Sequence, residues 1–318
     1  MTTQSPDVIT FGETMVLLTP DHLNRIENSD RFIKSHGGAE SNFAIGIARL
    51  GHSVGWFGSL GDDPFGRYIF KSIRGEGVDV TRVEFTNQAP TGFMLRERVA
   101  GQTSVYYYRH NSAASKIVPE NIDEDYIKQA SILHITGITC AISETAKNTV
   151  FEAVNIAKRN GVKVSFDPNI RLKLWSLEEA RSVILPLAEE VDYFLPGMDE
   201  LMLLYETNNP EKIFARLTKL NAVSIVKGGK KEAFLIENGK IASFPYVRVD
   251  HIVDPIGAGD GFCAGFISGL LKGFDHTDSV RYANLVGSLI IQAEGDWEGI
   301  PNWQQLQAII NKESFIER

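Results

Sequence analysis

Apolar positions recur along the chain with two periods, and the switches between them divide it into elements. Residues 7–19 (DVITFGETMVLLT) read as a buried strand, a glycine interruption and a second strand, and residues 31–37 alternate as a third. In GGAESNFAIGIARLG, Gly37 to Gly51, the residues Phe43, Ala44, Ile47, Ala48 and Leu50 keep helical spacing, and Gly51 fits a C-terminal stop. A strand at 53–58 and a helix at 65–74 follow, the order of parallel βαβ units. Residues 91–110 break that order. They predict a hairpin around Ala100-Gly101-Gln102, which with 14–19 and 31–37 makes a small antiparallel sheet apart from the main one.

After residue 130 the alternation resumes. Strands are predicted at 131–136, 162–167, 191–195 and 222–227, and helices at 143–160, 177–190, 198–206 and 210–220. A hairpin over 232–249, with β-like alternation continuing from Phe244 to Val253, leads to helices at 258–272, 276–293 and 302–312. No repeat or linker-like run interrupts this, so residues 1–318 read as a single α/β domain. Its central sheet is mostly parallel and flanked by helices. Open α/β sheets bind ligands beyond the carboxyl ends of their strands. Asp167, Asn169, Lys227 and the glycine turn after residue 253 all follow predicted strands, which predicts a shared crevice.

Composition narrows the partners. The 318 residues are 43% hydrophobic and 23% charged, with a formal net charge of −8 and no long basic run. That argues against nucleic acid or an anionic membrane as the main partner, while a local positive pocket can still take a small anion. Cys140 and Cys263 lie in apolar or small-residue contexts and read as free thiols. The start MTTQSPDVITFGE has no signal-peptide pattern and no apolar run reaches a membrane span, so the expectation is a soluble cytoplasmic protein.

The densest run of small residues is DPIGAGDGFCAGF, Asp254 to Phe266. Gly257 and Gly259 permit a tight turn, and the helix behind them presents free N–H groups that suit an anion. Asp260 stands at that positive end. Alone it is most simply a helix cap. There is no G-x-x-x-x-G-K-[ST], no G-x-G-x-x-G and no zinc-ligand spacing. A glycine-rich anion pocket holding an acid, with Asn42, Arg109, Arg171 and Lys227 elsewhere, suits phosphoryl transfer to a hydroxyl. Arg109 and Arg171 in one pocket would repel unless an anion joined them, which favours an acidic sugar. For Arg171 alone an ATP contact fits as well.

GGAESNFAIGIARLG, GSLGDDPFG and DPIGAGDGFCAGF, in this order, resemble the signatures of the ribokinase-like (PfkB) carbohydrate kinases. Within that family the chain is most similar to 2-keto-3-deoxygluconate kinases, through GGAESN, Tyr107-Tyr108-Arg109, Asn169, Arg171 and Asp296. The resemblance implies a Rossmann-like ribokinase fold with a β-sheet lid, and ATP-dependent phosphorylation of the sugar acid. Fructokinase, a kinase for another keto sugar acid and a non-catalytic sugar sensor are the alternatives. It implies Asp260 as general base, kept ionised by the same N–H groups of Gly257, Ala258 and Gly259 that take the phosphate's charge. Gly38, Ala39, Glu40, Ser41, Asn42, Met94, Tyr107, Tyr108, Arg109, Arg171 and Asp296 would meet the sugar acid. Asn169, Ile170, Arg171, Lys227, Gly228, Gly229, Lys230, Lys231 and Glu232 would meet the nucleotide. Glu200 would act on Mg²⁺ through water, and Gly197 stands where the family often has Asn. Met94 replaces an expected aromatic or polar contact. A monovalent cation and a homo-oligomer formed through the lid are further implications.

Overall fold

The predicted period switches become strands and helices at nearly the same residues. In this computed structural model, which describes residues 5–22, 25–99, 101–229 and 231–311, β1 (Val8–Phe11) leads to β2 (Met15–Pro20), β3 (Phe32–Gly37) and helix α1 (Ala39–Arg49). Ala100, Lys230 and residue 312, all included in the readings above, lie outside those residues. β4 (Val54–Phe57), β5 (Ser59–Gly61), α2 (Pro64–Gly75), β6 (Glu84–Thr86), β7 (Phe93–Val99) and β8 (Gln102–Tyr108) follow. Next come α3 (Glu124–Ile127), β9 (Ile132–Thr136), α4 (Gly137–Ile142), α5 (Glu144–Arg159) and β10 (Lys163–Asp167). Then follow α6 (Leu177–Glu190), β11 (Tyr193–Phe194), α7 (Met198–Tyr205), α8 (Pro210–Leu217) and β12 (Val223–Lys227). The hairpin of β13 (Glu232–Glu237) and β14 (Lys240–Pro245) precedes α9 (Ala258–Leu271), α10 (His276–Ile290) and α11 (Trp303–Ile310).

The central sheet runs β14-β13-β12-β11-β10-β9-β1-β4. The six strands from β12 to β4 are parallel, and the β13–β14 hairpin closes one edge antiparallel. Alternation sends Ile9 and Phe11 to one face, where they pack with Phe166, Phe194 and α5 and α6. Val8 and Trp56 face the other way, among residues of α1, α9 and α10. Each fully buried side chain of this kind stabilises the fold by about 1.5–3 kcal/mol. The small residues of α9 serve close packing: a Cβ at Gly265 would lie 2.8 Å from Cα of Ala283 on α10. Among the described residues no helix is long and apolar enough to cross a membrane, and both cysteines are buried and free.

The second sheet has the order β3-β2-β7-β8 and is built from the segments expected at 14–19, 31–37 and 91–110, but it is mixed and not antiparallel as predicted: β2 pairs antiparallel with β3 and parallel with β7. Met15, Leu17 and Met94 make a small apolar cluster of their own on it. One further prediction needs correcting. The alternation of residues 246–253 does not form a strand, because β14 pairs only with β13 and Glu232, opposite Pro245, is where that partner begins. Val247 and Ile252 are consequently exposed. GITCAI after β9, for which no element is predicted, forms α4; Thr136 caps it by accepting from the Ile138 N–H at 3.1 Å.

Asp63 joins the main body to the small sheet. One carboxylate oxygen caps α2 by accepting from the Gly66 N–H, and the other accepts from the Thr91 N–H, both at 2.8 Å. Burial works against the carboxylate, but the bonds from Thr91 and Gly66 outweigh it and hold Asp63 below its usual range. Asp63→Ala is expected to cost about 1–2 kcal/mol in denaturant unfolding at neutral pH, and Asp63→Asn less. A depressed folded pKa stabilises above the unfolded value of about 4 and is lost as pH falls below it, so the wild-type advantage over Asp63→Ala should shrink toward pH 3. An advantage equal at both pH values would contradict the assignment.

Candidate active site

Three chain segments meet at the carboxyl ends of the parallel strands. Gly257, with φ +76°, turns the chain into α9, and a Cβ there would overlap the carbonyl oxygen of Asp296. Asp260 occupies the first turn of that helix and is partly open to solvent. Its Oδ2 accepts from Asn42 Nδ2 at 2.8 Å and its Oδ1 from Asn169 Nδ2 at 3.3 Å. Asn42 lies in the first turn of α1, and Asn169 follows β10. The backbone of Asn169 is left-handed, with φ +41°, a conformation Asn tolerates better than most residues, and its Oδ1 is buried without a partner.

Beneath the turn, Lys227 Nζ donates to Asp167 Oδ2 at 2.6 Å and lies 3.8 Å from where a Cβ of Gly259 would be. Burial alone would neutralise this lysine, but Asp167 and Glu200 beside it hold it protonated. Cys263 Sγ, 3.4 Å from Asp167 Oδ2, completes the cluster. Glu200 ties two loops to it, accepting from the N–H of Ile170 at 2.7 Å and of Gly197 at 2.6 Å. Burial and the Asp167 charge push Glu200 above its ordinary range.

Electrostatics overturn one expectation. The helix end does not keep Asp260 fully ionised: burial pushes its pKa up to about 7, against the Asn42 bond, and the nearby Asp167 charge adds to the rise. The pulls of Arg171 and Lys227 are smaller and downward. A carboxyl titrating near neutrality can both receive and release a proton.

The remaining predicted residues divide by placement. Glu40 and Ser41 are fully buried, so the reading that they touch a sugar directly is corrected. Thr136 and Thr139 hydroxyls donate to Glu40 Oε1, and Ser41 Oγ donates to the Gly38 carbonyl. Gly38 is half-buried and Ala39 buried at the start of α1. Met94 is buried against Met15 and Leu17. Tyr107 shares the Met94 face of the small sheet, its ring 5.9 Å from the Arg109 guanidinium and 5.6 Å from Lys173 Nζ. Tyr108 turns away and stacks on Phe93 at 4.6 Å. Arg109 is not short of an anion: its Nε donates to Glu13 Oε2 at 2.6 Å, and Ser112 holds the other oxygen. Arg109 therefore needs no sugar carboxylate to balance its charge, contrary to expectation. Arg171 is exposed and donates to the Ile170 carbonyl at 3.1 Å.

Gly228 and Gly229 turn β12 into β13, with exposed Lys231 and half-buried Glu232 after them. Asp296 is buried, and Arg96 Nη1 donates to its Oδ1 at 2.8 Å. Burial raises Asp296 to about 6 despite that arginine. A cleft of about 920 Å³ beside β8 is lined by Tyr107, Arg109, Lys116, Ser143 and Lys173 among others; Asp260 is not part of its wall. Sequence reasoning missed Glu13 and Arg96. The strand-end rule applied to β1 points at Glu13, and the two-residue period from Met94 points at Arg96.

Residues 5–303 match the pfkB family of carbohydrate kinases. The chain is 37% identical to the 2-dehydro-3-deoxygluconokinase of Bacillus subtilis (strain 168), covering 98% of each chain. Among solved structures it resembles the PfkB protein of Polaromonas sp. JS666, at 36% identity and a TM-score of 0.87 over 95% of this chain and 99% of that one. It also resembles a putative ribokinase II from E. coli in complex with ATP and Mg²⁺, at 27% identity and a TM-score of 0.88 over 97% and 100%. A match of that extent settles the family: the chain is a member of the pfkB carbohydrate kinases, enzymes that phosphorylate sugars.

Proposed function

We propose that the enzyme transfers the terminal phosphoryl group of ATP to the primary hydroxyl of 2-keto-3-deoxy-D-gluconate, giving the 6-phosphate. The observation that carries the reading is Asp260, a carboxyl of neutral pKa held by Asn42 and Asn169 at the start of α9. Asp260 takes the proton from the sugar hydroxyl. The oxygen then bonds to the terminal phosphorus as the bond to the ADP oxygen breaks. The N–H groups of Gly257, Ala258 and Gly259 receive the charge that develops, with the Lys227 ammonium below them.

Asn169, Ile170 and Arg171, with the turn at Lys227, Gly228, Gly229, Lys231 and Glu232, flank the same strand ends and suit the nucleotide. Mg²⁺ carried on the phosphates would offset their negative charge, and such ions keep several waters. The donor set fits an indirect hold: Asn169 Oδ1 lacks a partner, and both oxygens of Glu200 already accept backbone N–H groups. Gly38, Ala39, Asn42, Tyr107 and Asp296 suit the sugar, and exposed Arg171 suits its carboxylate. The name of the Bacillus subtilis relative supports this acceptor. Because Glu13 already balances Arg109, a neutral ketose such as fructose remains the second reading. The small sheet acts as a lid that excludes water, and its exposed Ile33, Tyr106 and Tyr108 suit pairing with a second copy.

Turnover with a panel of acceptors, read as ADP release, should favour 2-keto-3-deoxygluconate; a preference for fructose would select the second reading. Asp260→Asn should lower kcat by about 10²- to 10⁴-fold while both ligands still bind, as calorimetry would show. Normal turnover in that variant would remove Asp260 from the chemistry. Since only the carboxylate accepts a proton, kcat/KM should rise with pH through about 7. Asn42→Ala removes a bond donated to that carboxylate, so its acid limb should move to higher pH. An unmoved limb would show that another group titrates.

A further inference from the structure

The cleft face of β7 continues from Met94, two residues at a time, to Arg96 and Arg98. Both arginines cross from the lid to the chain around the phosphate turn. Arg96 Nη1 donates to Asp296 Oδ1 at 2.8 Å and stands 3.7 Å from Asp254 Oδ2. Arg98 Nη1 donates to the Val253 carbonyl at 3.0 Å. The three side chains of the Arg96 cluster are nearly closed to water, at 13% exposure for Arg96, 13% for Asp254 and 10% for Asp296.

Both acids touch the turn. Asp254 Oδ1 accepts from the Ile256 N–H at 3.1 Å and so bends the chain that enters Gly257. The main chain of Asp296 presses on Gly257 from the other side, so closely that a side chain there would overlap it. Two carboxylates sharing a dry pocket repel unless a cation stands between them. Here that cation belongs to the lid.

We propose that Arg96 is a positioning residue that couples closure of the lid to assembly of the Gly257–Gly259 turn. With the lid down, the guanidinium holds Asp254 and Asp296 together and the turn between them is formed. With the lid lifted, the two acids lose their shared cation and the turn slackens. Phosphoryl transfer is thereby confined to the closed, water-excluding state, which restrains idle hydrolysis of ATP. The consequence for catalysis rests on the kinase reading of Asp260; the contact between lid and turn does not.

The test pairs hydrogen exchange with kinetics on the full chain. Arg96→Ala should speed amide exchange in residues 253–260 and lower kcat by about 10-fold or more, with a smaller change in the KM for ATP. Arg96→Lys should retain more turnover than Arg96→Ala, and added guanidinium should restore part of it to Arg96→Ala. Arg98→Ala, which loses only a bond to a carbonyl, should do less. Should Arg96→Ala not fold, Arg96→Gln and Arg96→Lys give the same comparison. Unchanged exchange in 253–260, or a kcat indifferent to residue 96, overturns the proposal. If the wild-type enzyme phosphorylates no sugar, the kinase reading fails and the exchange data still decide the coupling.

Discussion

The bond between Lys227 and Asp167 is the constraint on which the site depends. It joins the ends of β12 and β10, strands separated in the sheet by β11, at 2.6 Å and nearly out of water. Removing one partner of such a pair leaves a lone buried charge and costs about 3–5 kcal/mol. The pair also sets the potential around Asp260. Asp167 raises the affinity of that carboxyl for a proton and Lys227 lowers it, while burial moves it further than either. A neutral pKa for Asp260 is therefore a property of the ends of β10 and β12 together with the starts of α1 and α9, not of the glycine motif alone.

The rest of the architecture keeps other charges from disturbing this balance. Glu13 neutralises Arg109, and Glu200 is occupied by two backbone N–H groups. Glu40 is closed in by Thr136 and Thr139, and burial raises its pKa. Open to a ligand beside these are the Asp260 carboxyl and the exposed Arg171, with the turn over Lys227. The small sheet contributes on its cleft face, where Met94, Arg96 and Tyr107 share one side.

Much of this was legible in the sequence because it depends on periodicity and strand ends. The alternation of parallel strands and helices, the separate small sheet and the convergence of Asn42, Asn169, Lys227 and Asp260 all follow from short-range patterns. What was not legible depends on partners distant in the chain. Glu13 and Arg109 lie 96 positions apart, and Arg96 and Asp296 lie 200 apart. No local pattern tells that one arginine is already neutralised while another reaches across from the lid. Burial was hidden for the same reason. Glu40 and Ser41 sit in a motif that points to a ligand, yet α1 turns them into the protein. The 246–253 alternation misled because a strand needs a partner as well as a pattern.

Asp260 is the residue through which these arguments meet. The most direct test is its own titration, followed by NMR of carbonyl-labelled aspartate in the ligand-free protein, with Asp260→Asn used to assign the signal. The expected midpoint lies near 7. A midpoint near 4, where an unperturbed aspartate titrates, would contradict it.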